Sequence, residues 1–160
     1  MIYRVYLETT LFNFYFSTQS PTKKDDTRRF FDLIVEGKYK PYTSNAVLDE
    51  LKDDTEEKYQ AMEELVDKYA VEVLPRTPEA KNLADRYVAS SIIPLKYHAD
   101  GLHIGIAAVN NLDFVASYNY GHIVKLKTLN ACGLVNREEG YQFIGLMTPT
   151  EVIDYDIRRR

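Results

Sequence analysis

Glu8, Glu50, Asp100 and Asn119 carry hard oxygen donors on four well-separated segments of the chain. Each stands where an alternating α/β chain presents a side chain at one end of its sheet. Glu8 follows an apolar strand at once, and Asn119 follows another closely. In open parallel sheets ligands bind beyond the carboxyl ends of the strands, so both belong at that edge. Asp100 lies in the first turn of the apolar helix that feeds the strand before Asn119. That helix runs antiparallel to its strand, which brings Asp100 to the same edge. Glu50 sits in the helix after the second strand, and its convergence depends on how that helix packs. Oxygen ligands gathered in this way suit Mg²⁺, and such an ion activates water and clamps a scissile phosphate. The chemistry expected is metal-dependent phosphodiester hydrolysis, with Glu8, Glu50 and Asp100 as ligands and Asn119 completing the catalytic set. Three carboxylates balance one divalent ion, so a second would arrive with the substrate phosphate.

Each residue also has a plainer reading. In a chain with 24 acidic residues, a single Asp or Glu near a loop is usually a solvated side chain. Asp100 by itself complements a helix dipole. His103 shares the helix face of Asp100 and reads first as a structural histidine packed beneath the site, with contact to phosphate or to Asp100 as the other role. His122 stands near the site through Asn119, or serves as a surface residue.

The elements that must position these groups alternate along the chain. Residues 2–7 read as a strand, 22–37 as a helix stopped at Gly37, and 40–44 as a second strand. Ser44 or Asn45 caps a helix that buries Val47, Leu48 and Leu51. Residues 55–70 read as an amphipathic helix with Tyr59, Met62, Leu65, Val66 and Tyr69 inside. Residues 71–74 form a third strand, and Thr77-Pro78 starts a helix running to about Ser90. A long helix spans 97–110, a strand 113–117, a helix 127–140 and a strand 142–147. A short helix then precedes a basic tail at 158–160. This alternation predicts a Rossmann-like α/β/α sandwich with a central, mostly parallel sheet. No repeat or linker divides residues 1–160, so one domain is expected.

Composition narrows the function classes. With 45% hydrophobic and 28% charged residues the chain is globular. A formal net charge of −4 argues against a protein that coats nucleic acid electrostatically. Cys132 has no partner for an internal disulfide, which points to a reducing cytoplasm. Glu8 interrupts the N-terminal apolar run too early for a signal peptide, and no run approaches the ~20 residues that span a bilayer. Phosphate-cradling glycine motifs are absent, as are a nucleophile elbow and zinc-ligand spacing.

The ordered set of segments at residues 8–10 (ETT), 43–51 (TSNAVLDEL), 100–107 (DGLHIGIA) and 117–122 (SYNYGH) resembles PIN-domain proteins, in particular VapC-type toxins. The likeness extends to Gly140-Tyr141 and to 148–153 (TPTEVI). It implies a cluster of acids that binds Mg²⁺ or Mn²⁺ and cleaves single-stranded RNA, with Glu8, Glu50 and Asp100 in the places of the family's acidic ligands. Asn119 occupies the place of a fourth acid, and Thr9 and Ser117 become supporting hydroxyls. Two departures stand out. Glu8 is a methylene longer than the usual Asp, and Asn119 is neutral, which lowers site charge and metal affinity. They keep open an alternative: a PIN-like domain of weak or lost catalysis that binds nucleic acid or protein.

The resemblance also implies partners: an RNA substrate, an antitoxin segment that covers the acids, and a homodimer. Candidate basic clusters are Lys23, Lys24, Arg28 and Arg29, and then Lys96, Lys125 and Lys127. Phe12, Phe14, Tyr15, Phe16, Phe30 and Phe31 are candidates for core, for a dimer face or for an antitoxin groove.

Overall fold

The computed structural model describes residues 1–159. Five strands form one parallel sheet in the order β3-β2-β1-β4-β5: β1 (Tyr3–Leu7), β2 (Tyr39–Ser44), β3 (Glu72–Leu74), β4 (Phe114–Ala116) and β5 (Gly145–Met147). Between and after them run α1 (Thr9–Tyr15), α2 (Pro21–Val35), α3 (Asn45–Asp54), α4 (Glu56–Lys68), α5 (Pro78–Ala89), α6 (His98–Val109), α7 (Leu126–Glu138) and α8 (Pro149–Arg159). The expected α/β/α sandwich is what the chain forms. Right-handed crossovers made in opposite directions place their helices on opposite faces of a sheet. Accordingly α2 packs with α8, and α5 packs with α6 and α7. Val5, Tyr6 and Leu7 are all fully buried, as a strand covered on both faces requires.

Strand order reverses between β1 and β4, so the crevice at their carboxyl ends is the topological switch point. Glu8 leaves β1 there and Ser117–Asn119 leave β4 there. Most expected boundaries hold within a few residues, and Gly37 closes α2 with a φ of +78°. Three expectations need correction. Residues 9–15 form α1, a helix without a start signal in the sequence, because Glu8 is its N-cap and Glu is not among the usual capping residues. Tyr59, expected inside, is half-exposed with the Lys52 ammonium 5.5 Å from its ring centre. The last helix is not short: α8 includes Arg158 and Arg159, where the sequence predicts a tail, while Arg160 lies outside the described residues.

The aromatic group of α1 and α2 is mainly core. Phe12, Tyr15, Phe30 and Phe31 are buried, with Tyr15 edge-on to Phe31 at 5.2 Å. Phe16 remains 44% exposed and lines a groove of about 350 Å³ with Phe12, Leu51, Ala61 and Met62.

The helix that carries Asp100 and His103 is held by close approach to α5. A Cβ added at Gly105 would stand 2.6 Å from the Ala80 carbonyl oxygen, a backbone atom that cannot rotate away. Gly105→Ala gains about 1 kcal/mol of helix propensity. The backbone clash outweighs that gain, so a net loss of about 1–3 kcal/mol is expected. Thermal unfolding of the variant checks this, and a midpoint at or above that of the wild type would show that the two helices can part without cost.

Candidate metal centre

Glu8 is positioned by the end of β1. Its main chain is pinned by Glu8 N–H donating to the Ala116 carbonyl at 3.2 Å. Its side chain folds back over the first turn of α1, where Oε1 accepts from Thr10 N–H at 3.2 Å and from Thr10 Oγ1 at 2.6 Å. Ser117, arriving from the end of β4, donates its hydroxyl to the same oxygen at 2.6 Å. Three donors on one oxygen fix the carboxylate, and its other oxygen takes no protein hydrogen bond among the described residues. The side chain is 3% exposed. Burial pushes this carboxyl above its ordinary value, against the opposing pull of His103, Ser117 and Thr10.

Glu50 comes from α3, whose N-terminus is capped by Ser44 accepting from Ala46 N–H at 3.2 Å. Glu50 Oε1 lies 2.7 Å from His103 Nε2, and Oε2 accepts from Thr9 Oγ1 at 2.6 Å. Burial works upward on this carboxyl, but the His103 hydrogen bond and charge and the Thr9 hydroxyl outweigh it and hold it low. His103 itself is wholly buried. Its Nδ1 meets the Tyr6 hydroxyl at 2.6 Å, and that hydroxyl meets Ser44 Oγ at 2.7 Å. A neutral imidazole satisfies the whole chain in one direction: Nε2–H to Glu50, Tyr6 O–H to Nδ1, Ser44 O–H to Tyr6. Burial presses the imidazole toward neutrality, while Glu50, Glu8 and Asp100 outweigh it and raise its value.

Oxygens of Glu8 and Glu50 and a ring nitrogen of His103 all lie within 4.8 Å of one another, a group that could hold a metal ion. Both ring nitrogens of His103 are already engaged, so this imidazole acts from behind Glu50, as the packing reading of His103 expects. Asp100 stands outside that tight group. It is half-buried in the first turn of α6. Burial raises its carboxyl, His103, the Asn119 amide and His122 lower it, and Glu50 adds to the rise. Asn119 Oδ1 accepts from His122 N–H at 3.0 Å, closing the turn after β4. Of the four expected residues, Glu8 and Glu50 come together with His103, while Asp100 lies outside that group and interacts with Asn119, His103 and Glu50. Tyr6, Ser44 and Thr10 went unread as site residues. Only Ser44 carried a signal, and that was for capping.

The donors fit a hard divalent cation. Two carboxylates lie close together, one of them buried and raised in pKa, and a third is adjacent. That is an excess of negative charge that a cation would offset, and oxygen ligands are what Mg²⁺ and Mn²⁺ take. Among the described residues no helix is long and apolar enough to cross a membrane.

No family model matches the chain, and no curated protein matches it. Among solved structures, VapBC2 from Rickettsia felis bound to a DNA fragment from its promoter aligns over 72% of this chain and 88% of that one. The identity is 14% and the TM-score 0.49.

Proposed function

We propose that this chain is a divalent-metal-dependent ribonuclease that hydrolyses RNA phosphodiester bonds. The observation that carries the reading is the meeting of Glu8, Glu50 and His103 from three distant segments, with Asp100 beside them, at the sheet's switch point. Glu8, Glu50 and Asp100 would hold Mg²⁺ or Mn²⁺. Bound there, the ion supplies Lewis acidity at the scissile phosphate and lowers the pKa of attacking water. The protein's part is to hold the oxygens still: Thr10 and Ser117 fix Glu8, and Thr9 and His103 fix Glu50. The Asn119 amide interacts with Asp100 and works against the burial that raises that carboxyl.

The resemblance of the residue segments to PIN-domain toxins extends the proposal. Residues 1–160 act as one cytoplasmic domain, homodimeric, and toxic until an antitoxin segment covers the acids. The neutral Asn119 favours a second reading, a PIN-like domain of weak catalysis that binds nucleic acid or protein.

Manganese titration separates the two. At about a hundred times its Kd the ion is expected to add about 2.7 kcal/mol to stability, a rise of about 5–10 °C in Tm. Calorimetry should show binding to the wild type and none to Asp100→Ala, together with loss of RNA cleavage. Equal manganese binding by both proteins would refute the site.

A further inference from the structure

Exposed rings lie in the segments next to the acids. Tyr97 stacks on His122 with 3.9 Å between ring centres and 27° between planes. Tyr97 is 39% exposed, and the Lys96 ammonium stands 5.7 Å from its ring centre. His122 is tied to the site residues by its backbone N–H, which donates to Asn119 Oδ1 at 3.0 Å. The Lys23 ammonium stands 4.8 Å from the ring centre of Phe14 and 5.6 Å from that of Tyr120. Tyr120 is 53% exposed. The adjacent Tyr118 is tied to the acids, its N–H donating to Thr10 Oγ1, which in turn donates to Glu8.

A single exposed tyrosine needs no explanation. Two exposed rings with lysine ammoniums near them, in segments adjoining a cluster suited to phosphodiester chemistry, have the composition of a surface for unpaired nucleic acid. We propose that the Tyr97–His122 stack is a platform for one unpaired base of a single-stranded polynucleotide. The adjoining phosphate then lies toward the acids, and Tyr120 with Lys23 offers a second ring and charge to the same strand. The proposal rests on the nuclease reading and adds a positioning residue, Tyr97, to it. A base held in a duplex has no free face for such a ring, so the platform selects single strands. With a net charge of −4 on the chain and two lysines at the rings, stacking carries more of the affinity than phosphate contacts do. The logarithmic salt slope is then shallow, about −1.4 for two neutralised phosphates.

The test is binding of a fluorescein-labelled oligoadenylate in EDTA, where the strand is not cut and no ion contributes. Tyr97→Ala should bind about tenfold more weakly, the loss of one stacked base, and Tyr97→Phe should bind like the wild type. An otherwise identical abasic strand should lose the same factor on the wild type and little on Tyr97→Ala. Manganese titration of Tyr97→Ala should match the wild type, which shows an intact acid cluster. Equal binding of the oligoadenylate and abasic strands by the wild type would overturn the platform, as would a duplex bound as tightly as the single strand. Failure of the nuclease reading shows elsewhere, as a wild type that takes up no manganese while still discriminating the abasic strand.

Discussion

Glu8→Gln is expected to lower RNA hydrolysis about 10²–10³-fold, the scale of losing one charged group that stabilises a phosphoryl transition state, while raising the Tm of the metal-free protein. Both signs come from the same burial. Glutamine keeps an oxygen for Thr10 and Ser117 and so preserves the clamp, but it removes the charge that burial penalises. A carboxyl whose folded pKa lies above its unfolded value costs stability at neutral pH. That cost is relieved as pH falls through the raised folded value toward the ordinary 4.5. The stability gap between variant and wild type should therefore be widest near neutrality and close on acidification. Asp100 is raised as well, so manganese binding by the wild type should weaken at a higher pH than an ordinary carboxylate site would. Kinetics with manganese and melting in EDTA read the two effects separately. A variant with unimpaired hydrolysis would remove Glu8 from the reaction, and a lower metal-free Tm would show that its charge is already neutralised within the protein.

His103→Ala should be the most damaging single change to the fold near the site. The imidazole joins Glu50 on α3 to Tyr6 on β1 from its own place on α6, and it is wholly buried. Truncation leaves a cavity and takes a hydrogen-bond partner from both groups, a loss of about 2–4 kcal/mol. In a chain of this length that is a fall of about 5–15 °C in Tm. Manganese affinity should fall about 10–100-fold, because Glu50 loses the donor that orients it. His103→Gln, which keeps a donor for Glu50, should recover part of both. The decisive comparison is made without metal. A metal-free His103→Ala protein as stable as the wild type would mean that the imidazole serves only as a ligand.

The strand–helix alternation was legible because each element carries its own local signal. Short runs of β-forming residues mark the strands, Ser44 and Thr77 mark helix starts, and Gly37 marks a stop. The edge position of Glu8, Asp100 and Asn119 followed from topology, since parallel strands send their carboxyl ends the same way. Glu50 was the residue whose place depended on packing, and packing put it closest to Glu8 and His103. No local pattern distinguishes an acid on a helix that leans over the sheet edge from one on a solvated face. The first helix hid for a related reason: Glu8 caps it with a carboxylate that is also a site group, so the usual capping letters were absent.

By itself the sequence determined the fold class, the end of the sheet where chemistry could gather and the oxygen-rich character of the donors, because these follow from periodicity and composition. Tertiary structure alone decided that His103 stands behind Glu50 and not over Asp100, that Tyr6 and Ser44 complete its hydrogen bonds, and that Asp100 lies at the margin of the tight group. Those relations join residues far apart in the chain across distances of a few ångströms. Side-chain reach and helix packing set such distances, and neither leaves a trace in the spacing of letters.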